Sequence, residues 1–233
     1  MASLGELFSD DYNFETLVVP AMVIALPVMV VLALFGLNIS WLVGFAILGI
    51  QVLLFPLWLM ASWIRDAGKK LEARLFADGQ PTHTSLRLAN GSSYDLQTRR
   101  QRLEAVAGVK LATLHQERAN PAEADAKIRD AMAVAREKMR DPMKFKLLRR
   151  ELKSYGFWRN IAGCRTLGLL TTGVCVLLSI GAILLSTSIK LPVAALACAA
   201  AMFLYWLLVV SDEKVIQAAE RYKNQFFNSL ATL

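Results

Sequence analysis

The placement of charged positions divides the chain before any motif is read. From Thr16 to Ile64 there are 49 consecutive residues without Asp, Glu, Lys or Arg, and from Thr166 to Ser211 a further 46 interrupted only by Lys190. Apolar runs far beyond about 18 residues are the signature of membrane-spanning helices. Each run divides at a short break. Gly36-Leu37-Asn38-Ile39-Ser40 is turn-like and precedes Trp41, which predicts spans near 16–36 and 41–64. The break at Ser186-Thr187-Ser188-Ile189-Lys190-Leu191-Pro192 predicts two more, near 166–186 and 192–210. A helix over 16–36 reaches about 31 Å, enough for the hydrocarbon core. Trp58 and Trp63 end the second span, as Tyr205 and Trp206 end the fourth, where interfacial aromatics belong.

Between the hairpins the pattern turns polar and mostly helical. The second span is expected to continue as a stalk over 65–76, ended by Asp78-Gly79-Gln80-Pro81. Residues 78–95 are rich in Gly, Ser, Thr and Asn, with a short strand or hairpin expected around Ser85–Leu88. Asp95 is expected to cap a helix reaching Ala107 and closed by Gly108. Asn120-Pro121-Ala122-Glu123 opens a helix to about Met139, with Ile128, Met132, Ala135 and Met139 on one face. Asp141-Pro142 repeats that grammar and opens a helix leading directly into the third span. In the tail, Val215, Ala219, Tyr222 and Phe226 share one face of an amphipathic helix.

The expected fold is therefore an all-α membrane protein. Four transmembrane helices form two hairpins, with a mostly helical cytoplasmic domain between spans two and three. Its parts are an acidic N-terminal arm (1–15), hairpin one (16–64), a basic domain (65–165), hairpin two (166–210) and a C-terminal helix (211–233).

Composition agrees: 55% of residues are hydrophobic and 19% charged, against about 25% charged in soluble domains. The net charge of +7 is unevenly spread. Residues 65–165 carry 22 Lys/Arg against 12 Asp/Glu, whereas the arm holds Glu6, Asp10, Asp11 and Glu15 and no base. Cations flank the second and third spans, from Arg65 to Arg74 and from Arg149 to Arg165, and only Lys190 lies opposite. The positive-inside rule then places 65–165 and both termini in the cytoplasm. Acidic residues after Met1-Ala2-Ser3 give no basic n-region, so no cleavable signal peptide is expected.

Chemistry-bearing patterns are few. No ionisable side chain falls in the middle of a predicted span, which argues against an ion-coupled transporter. Gln51, Thr171, Thr172 and Ser179 are the main polar residues at depth, bonding either between helices or to their own helix. Pro20, Pro27 and Pro56 are kink positions, and Gly168, Gly173 and Gly181 offer close-packing surfaces. Cys164, Cys175 and Cys198 form no disulfide or metal pattern, and His83 and His115 have no ligand partner at fixed spacing. With no phosphate loop, dinucleotide fingerprint or nucleophile elbow, an enzyme is not expected, nor a cofactor. The candidate surface is basic: Lys69, Lys70, Lys144, Lys146, Arg149, Arg150, Lys153 and Arg159. It suits anionic lipid, at about 1 kcal/mol per cation, or, as an anion site, a nucleotide or an acidic protein. Nucleic acid is not expected, for want of stacking aromatics away from the interface.

The middle segment also resembles a little-characterised family of bacterial four-span inner-membrane proteins. The resemblance rests on Gly68-Lys69-Lys70-Leu71-Glu72 with Leu75-Phe76, on Pro81-Thr82, Ala124-Asp125, Arg140-Asp141, Lys144-Phe145 and Leu147-Leu148, and on Glu151 with Tyr155-Gly156-Phe157-x-Arg159-Asn160. Departures are Ala77-Asp78-Gly79 in place of Trp-Gly-Gly, Leu152 in place of Asn, and Gln101-Arg102 in place of Tyr-His. The resemblance implies a defence-type gene neighbourhood. The expectation is thus a homo-oligomeric inner-membrane component of an anti-phage system, acting as sensor or membrane-perturbing effector with a cytosolic protein partner. A scaffold or ordinary channel anchoring a cytosolic protein is the alternative.

Overall fold

The computed structural model describes residues 10–34, 59–91, 93–185 and 189–233. Among these residues the regular structure is helical throughout, with no strand. Helix α1 is built of three consecutive pieces: Asp11–Asn13, a π-helical turn Phe14–Val18, and Val19–Leu34. Helix α2 covers 59–75. Then follow α3 (Tyr94–Ala107), α4 (Leu114–Ala119), α5 (Pro121–Lys138), α6 (Lys146–Gly163), α7 (Arg165–Leu185), α8 (Lys190–Leu204, continued by a second π-helical turn, Tyr205–Val209) and α9 (Asp212–Leu230).

Three stretches among the described residues are long and apolar enough to cross a membrane: Asp11–Val31, Arg165–Leu185 and Lys190–Val209. These are the helices of a membrane protein. The expected second span lies largely outside the described residues, as do Gln51, Pro56 and most of the break before Ile189; only its end is seen, in α2.

Local sequence explains most boundaries. Ser93, not Asp95, caps α3, its side chain accepting from the Leu96 amide, and Gly108 ends the helix at φ +69°. That left-handed value favours glycine. Asn120 caps α5 with Pro121 at the first position. Asp141 does receive the Met143 and Lys144 amides through Oδ1, but residues 142–145 form turns and α6 starts only at Lys146. The strand expected at Ser85–Leu88 is absent: Pro81–Thr84 is a helical turn and Leu88–Asn90 a 3-10 turn. The entry into α7 is also not seamless, since Cys164 is a single non-helical residue between α6 and α7.

The described residues group into two compact units. One joins the chain up to Glu72 to Gly156–Val215; the other joins Ala73–Tyr155 to Ile216–Leu233. In the first, apolar unit, α1, α7 and α8 pack on one another, with Val31, Cys175, Ala195 and Ala199 at the centre. The buried hydroxyls turn back on their own helices: Thr172 donates to the Gly168 carbonyl (2.7 Å) and Ser179 to the Cys175 carbonyl (2.8 Å). Leu184 and Leu185 are 80% and 90% exposed, which suits a lipid-facing surface. In the second unit, Ile128, Met132, Ala135 and Met139 are buried along α5, as their spacing predicts. Ala219, Tyr222 and Phe226 are buried along α9, with the Tyr222 ring stacked on Tyr155 at 6.3 Å, and Val215 is buried in the part of α9 that belongs to the first unit.

Three glycines of the apolar unit have unequal surroundings. A Cβ at Gly168 would collide with the buried Trp206 ring, one at Gly173 would make ordinary contact 3.8 Å from Phe203, and one at Gly181 would meet nothing. Gly168→Ala should therefore cost about 1–3 kcal/mol, the range for overpacking. Gly173→Ala and Gly181→Ala should be neutral or slightly stabilising through helix propensity. Thermal denaturation in detergent reads the difference.

Candidate functional site

Two stretches of sequence that lie far apart along the chain meet inside the apolar unit. Glu72, on α2, and Arg159, on α6, form an ion pair at 2.9 Å with side chains only 14% and 15% exposed. Arg159 Nε donates to Asn160 Oδ1 at 3.1 Å, and Asn160 Nδ2 donates to the Thr16 carbonyl of α1 at 2.7 Å. Asn160 is 1% exposed, so these bonds are made out of water. A buried amide left unpaired would cost about 1–3 kcal/mol, which makes this joint specific as well as stabilising.

Small residues make the approach possible. A Cβ at Gly68 would lie on Asn160, 3.1 Å from its Cα. At Gly156 it would be 2.7 Å from Thr16 Cγ2, and at Gly163 it would be 2.6 Å from the Ala67 carbonyl carbon. Gly68-Lys69-Lys70-Leu71-Glu72 thus meets Gly156-Phe157-x-Arg159-Asn160 through its glycine and its acid, while Lys69 and Lys70 stay exposed.

Backbone geometry supplies the acceptors. In the turn Phe14–Val18 the Val19 amide reaches the Phe14 carbonyl, five residues back, so the helix is locally widened. Widened turns leave carbonyls open to side chains, and the Thr16 carbonyl takes Asn160. A second widened turn, Tyr205–Val209, is held the same way: Arg165 Nη2 donates to the Leu207 carbonyl at 2.9 Å and Nε to the Trp206 carbonyl at 3.3 Å. Asn160 and Arg165, five residues apart around Cys164, therefore brace the start of the first spanning helix and the end of the last. Burial pushes the Cys164 thiol up to about 11, which keeps it protonated and poorly nucleophilic.

The basic candidates fall into different surroundings. Lys144, Lys146 and Arg150 are exposed, beside Met143 and Leu147, which are 72% and 54% exposed. Lys144 lies 5.3 Å from the Phe145 ring centre. Arg149 and Lys153 are half-buried on α6. Arg159 is committed to Glu72 and Asn160, so it is a structural cation and not part of an open basic face. Pro20 and Pro27 are buried in α1.

In the polar unit a second network fixes residues 78–91. Arg87 grips Asp125 with two bonds of 2.8 and 2.6 Å and also reaches the Asp78 carbonyl, and the Asp125 hydrogen bond raises its pKa. The buried Glu117 carboxylate accepts the Leu88 and Ala89 amides at 3.0 Å each. Buried Arg100 donates to the Leu86 and Ala112 carbonyls, and burial lowers its pKa. Arg136 donates to His83 Nε2 at 3.3 Å. Neither Glu117 nor Arg100 stands out as a site by sequence alone, since each is a polar residue whose hydrogen-bond partners here are backbone atoms.

Among the described residues no group of three His, Cys, Asp or Glu side chains is placed to hold a metal ion. Comparison with known proteins finds no matching family model, no matching curated protein and no matching solved structure.

Two outcomes follow from this geometry. Asn160→Ala strips the Thr16 carbonyl of its donor and should lower stability by about 1–3 kcal/mol. Asn160→Asp, which sets a carboxylate against that carbonyl, should be no better; thermal unfolding in detergent measures both. The second concerns pH. Burial, followed by the Arg136 and Arg129 charges, lowers His83 to about 4. Folded His83 is then neutral across a window in which the unfolded chain takes up a proton, so stability falls as pH drops from 6.5 towards 4. His83→Gln should flatten that part of the stability profile.

Proposed function

We propose that this chain is a homo-oligomeric inner-membrane component of a bacterial anti-phage system, working as a membrane sensor or membrane-perturbing effector. In this reading it has four spans, and residues 65–165 and both termini face the cytoplasm, where a cytosolic protein meets the basic residues. The class of signal rests on the resemblance carried by residues 65–160.

The observation that carries the proposal is the buried joint of Glu72, Arg159, Asn160 and the Thr16 carbonyl. It ties α2, α6 and α1 together through polar bonds that are either all made or expensively broken. Such a joint has discrete states, which a signal needs. Lys144, Lys146 and Arg150, exposed near the start of α6, offer the docking cations, and Met143 and Leu147 supply apolar contact between them. A partner held there acts on a helix that ends at the joint.

Cells carrying the chain with its native gene neighbours should admit a membrane-impermeant dye during phage challenge if it is an effector, and remain sealed while surviving if it is a sensor. Glu72→Ala and Arg159→Ala should each abolish protection, and the double substitution to apolar residues of similar volume should restore folding but not signalling. Undiminished protection by both single variants overturns the reading.

A further inference from the structure

The contact at Gly163 has a counterpart on the side of α7. There, backbone touches backbone at Ala67, and just beyond it α2 and α7 leave an apolar cleft of about 330 Å3. Met60, Ile64, Leu167 and Leu170 line it, Cys164 stands at its head and Trp63 at its rim. The volume is within the range of about 300–1,000 Å3 usual for small-molecule sites.

Helix periodicity places Trp63, Ala67 and Lys70 on one stripe of α2, since they are four and three residues apart. The stripe therefore runs from cleft to cation. Trp63 is 68% exposed, and Lys70 and Thr166 are exposed as well. An indole at the rim of an apolar cleft, with an ammonium one to two turns further on, matches the layered chemistry of a phospholipid: acyl chain, ester level, phosphate. Residues 65–74 hold four bases and two acids. One of those acids, Glu72, is already engaged by Arg159. Asp66, the other, sits one turn before Lys70. The surplus is cationic, which favours an anionic headgroup over a zwitterionic one.

We propose that this cleft is a binding site for one anionic phospholipid, its acyl chain against Leu167 and Leu170 and its phosphate at Lys70, with the Trp63 N–H between them. Occupancy wedges α2 against α7 just beyond the point where Gly163 lets α2 and α6 approach. The site presupposes the membrane setting but not the defence role, and its test does not pass through phage.

The experiment uses the full chain, delipidated in detergent, and titrates it with phosphatidylglycerol or phosphatidylcholine. Native mass spectrometry counts retained lipid, and brominated phosphatidylglycerol reports proximity through quenching of tryptophan fluorescence. Wild type should retain one phosphatidylglycerol in several-fold preference to phosphatidylcholine, and part of the quenching should vanish in Trp63→Phe. Lys70→Ala should bring retention down to the phosphatidylcholine level. Leu170→Trp, at a position 63% exposed and so free of packing strain, should fill the cleft and abolish retention of both lipids. Equal retention of the two lipids by wild type, or undiminished phosphatidylglycerol on Leu170→Trp or Lys70→Ala, overturns the site. A chain that stays soluble and folded without detergent overturns the membrane reading itself, a separate result.

Discussion

A bilayer offers a backbone carbonyl or a side-chain hydroxyl no water to fall back on, and the apolar unit is organised by that constraint. Thr172 and Ser179 satisfy it within their own turns. The two widened turns cannot, because their irregular backbone frees acceptors, and each is given a donor from the α6–α7 region: Asn160 for one, Arg165 for the other. Those donors reach their targets only because glycine stands where any Cβ would intrude. Remove the small residues and the bonds lengthen; remove the bonds and the widened turns lose their reason to persist. The packing and the polar chemistry are one arrangement.

The polar unit solves a different problem. Residues 78–91 hold only short helical turns, whose backbone bonds close within a few residues, and side chains from the surrounding helices tie those turns down. Glu117 takes two amides, Arg100 donates to two carbonyls, and Arg87 clasps Asp125. Every one of these charges is spent on internal order. They are two bases and two acids, so the surplus of ten positive charges over 65–165 is left to exposed cations along the whole segment, from Lys69 and Lys70 through Lys110, Arg118 and Arg129 to Lys144, Lys146 and Arg150.

Much of the helical layout was legible in the sequence because it depends on local rules. Asn120 before Pro121, Gly108 after Ala107 and the buried face of α9 are visible to anyone counting residues, and the long uncharged runs announce helices fit for a membrane. Where the structure differs, a closer competitor wins: Ser93 caps α3 through the Leu96 amide, two residues before the Asp95 expected to do so, and Ser85–Leu88 lies between short helical turns with no strand among the described residues to pair with. The joint was harder to see. Glu72, Gly68, Arg159 and Asn160 stand in visible motifs, but nothing in one chain says that residues 87 positions apart will touch, and by sequence Arg159 is one more cation beside a span. Widened turns leave no mark in composition at all.

Each widened turn is one residue longer than the α-helical turn it replaces. A chain lacking a single residue within 14–18 would close the turn as plain α-helix and reclaim the freed carbonyl. The residues before the turn would keep nearly their present register, because the α-helical bond then joins the same flanks that the Val19–Phe14 bond joins now, and Asn13 would still meet Arg65, now at 3.3 Å. Replacements in that stretch meet the packing instead, because Thr16, Leu17 and Val18 are buried. For the ends of these two spans, chain length decides whether a carbonyl stands open to a partner, and side-chain identity decides whether the turn fits its neighbours.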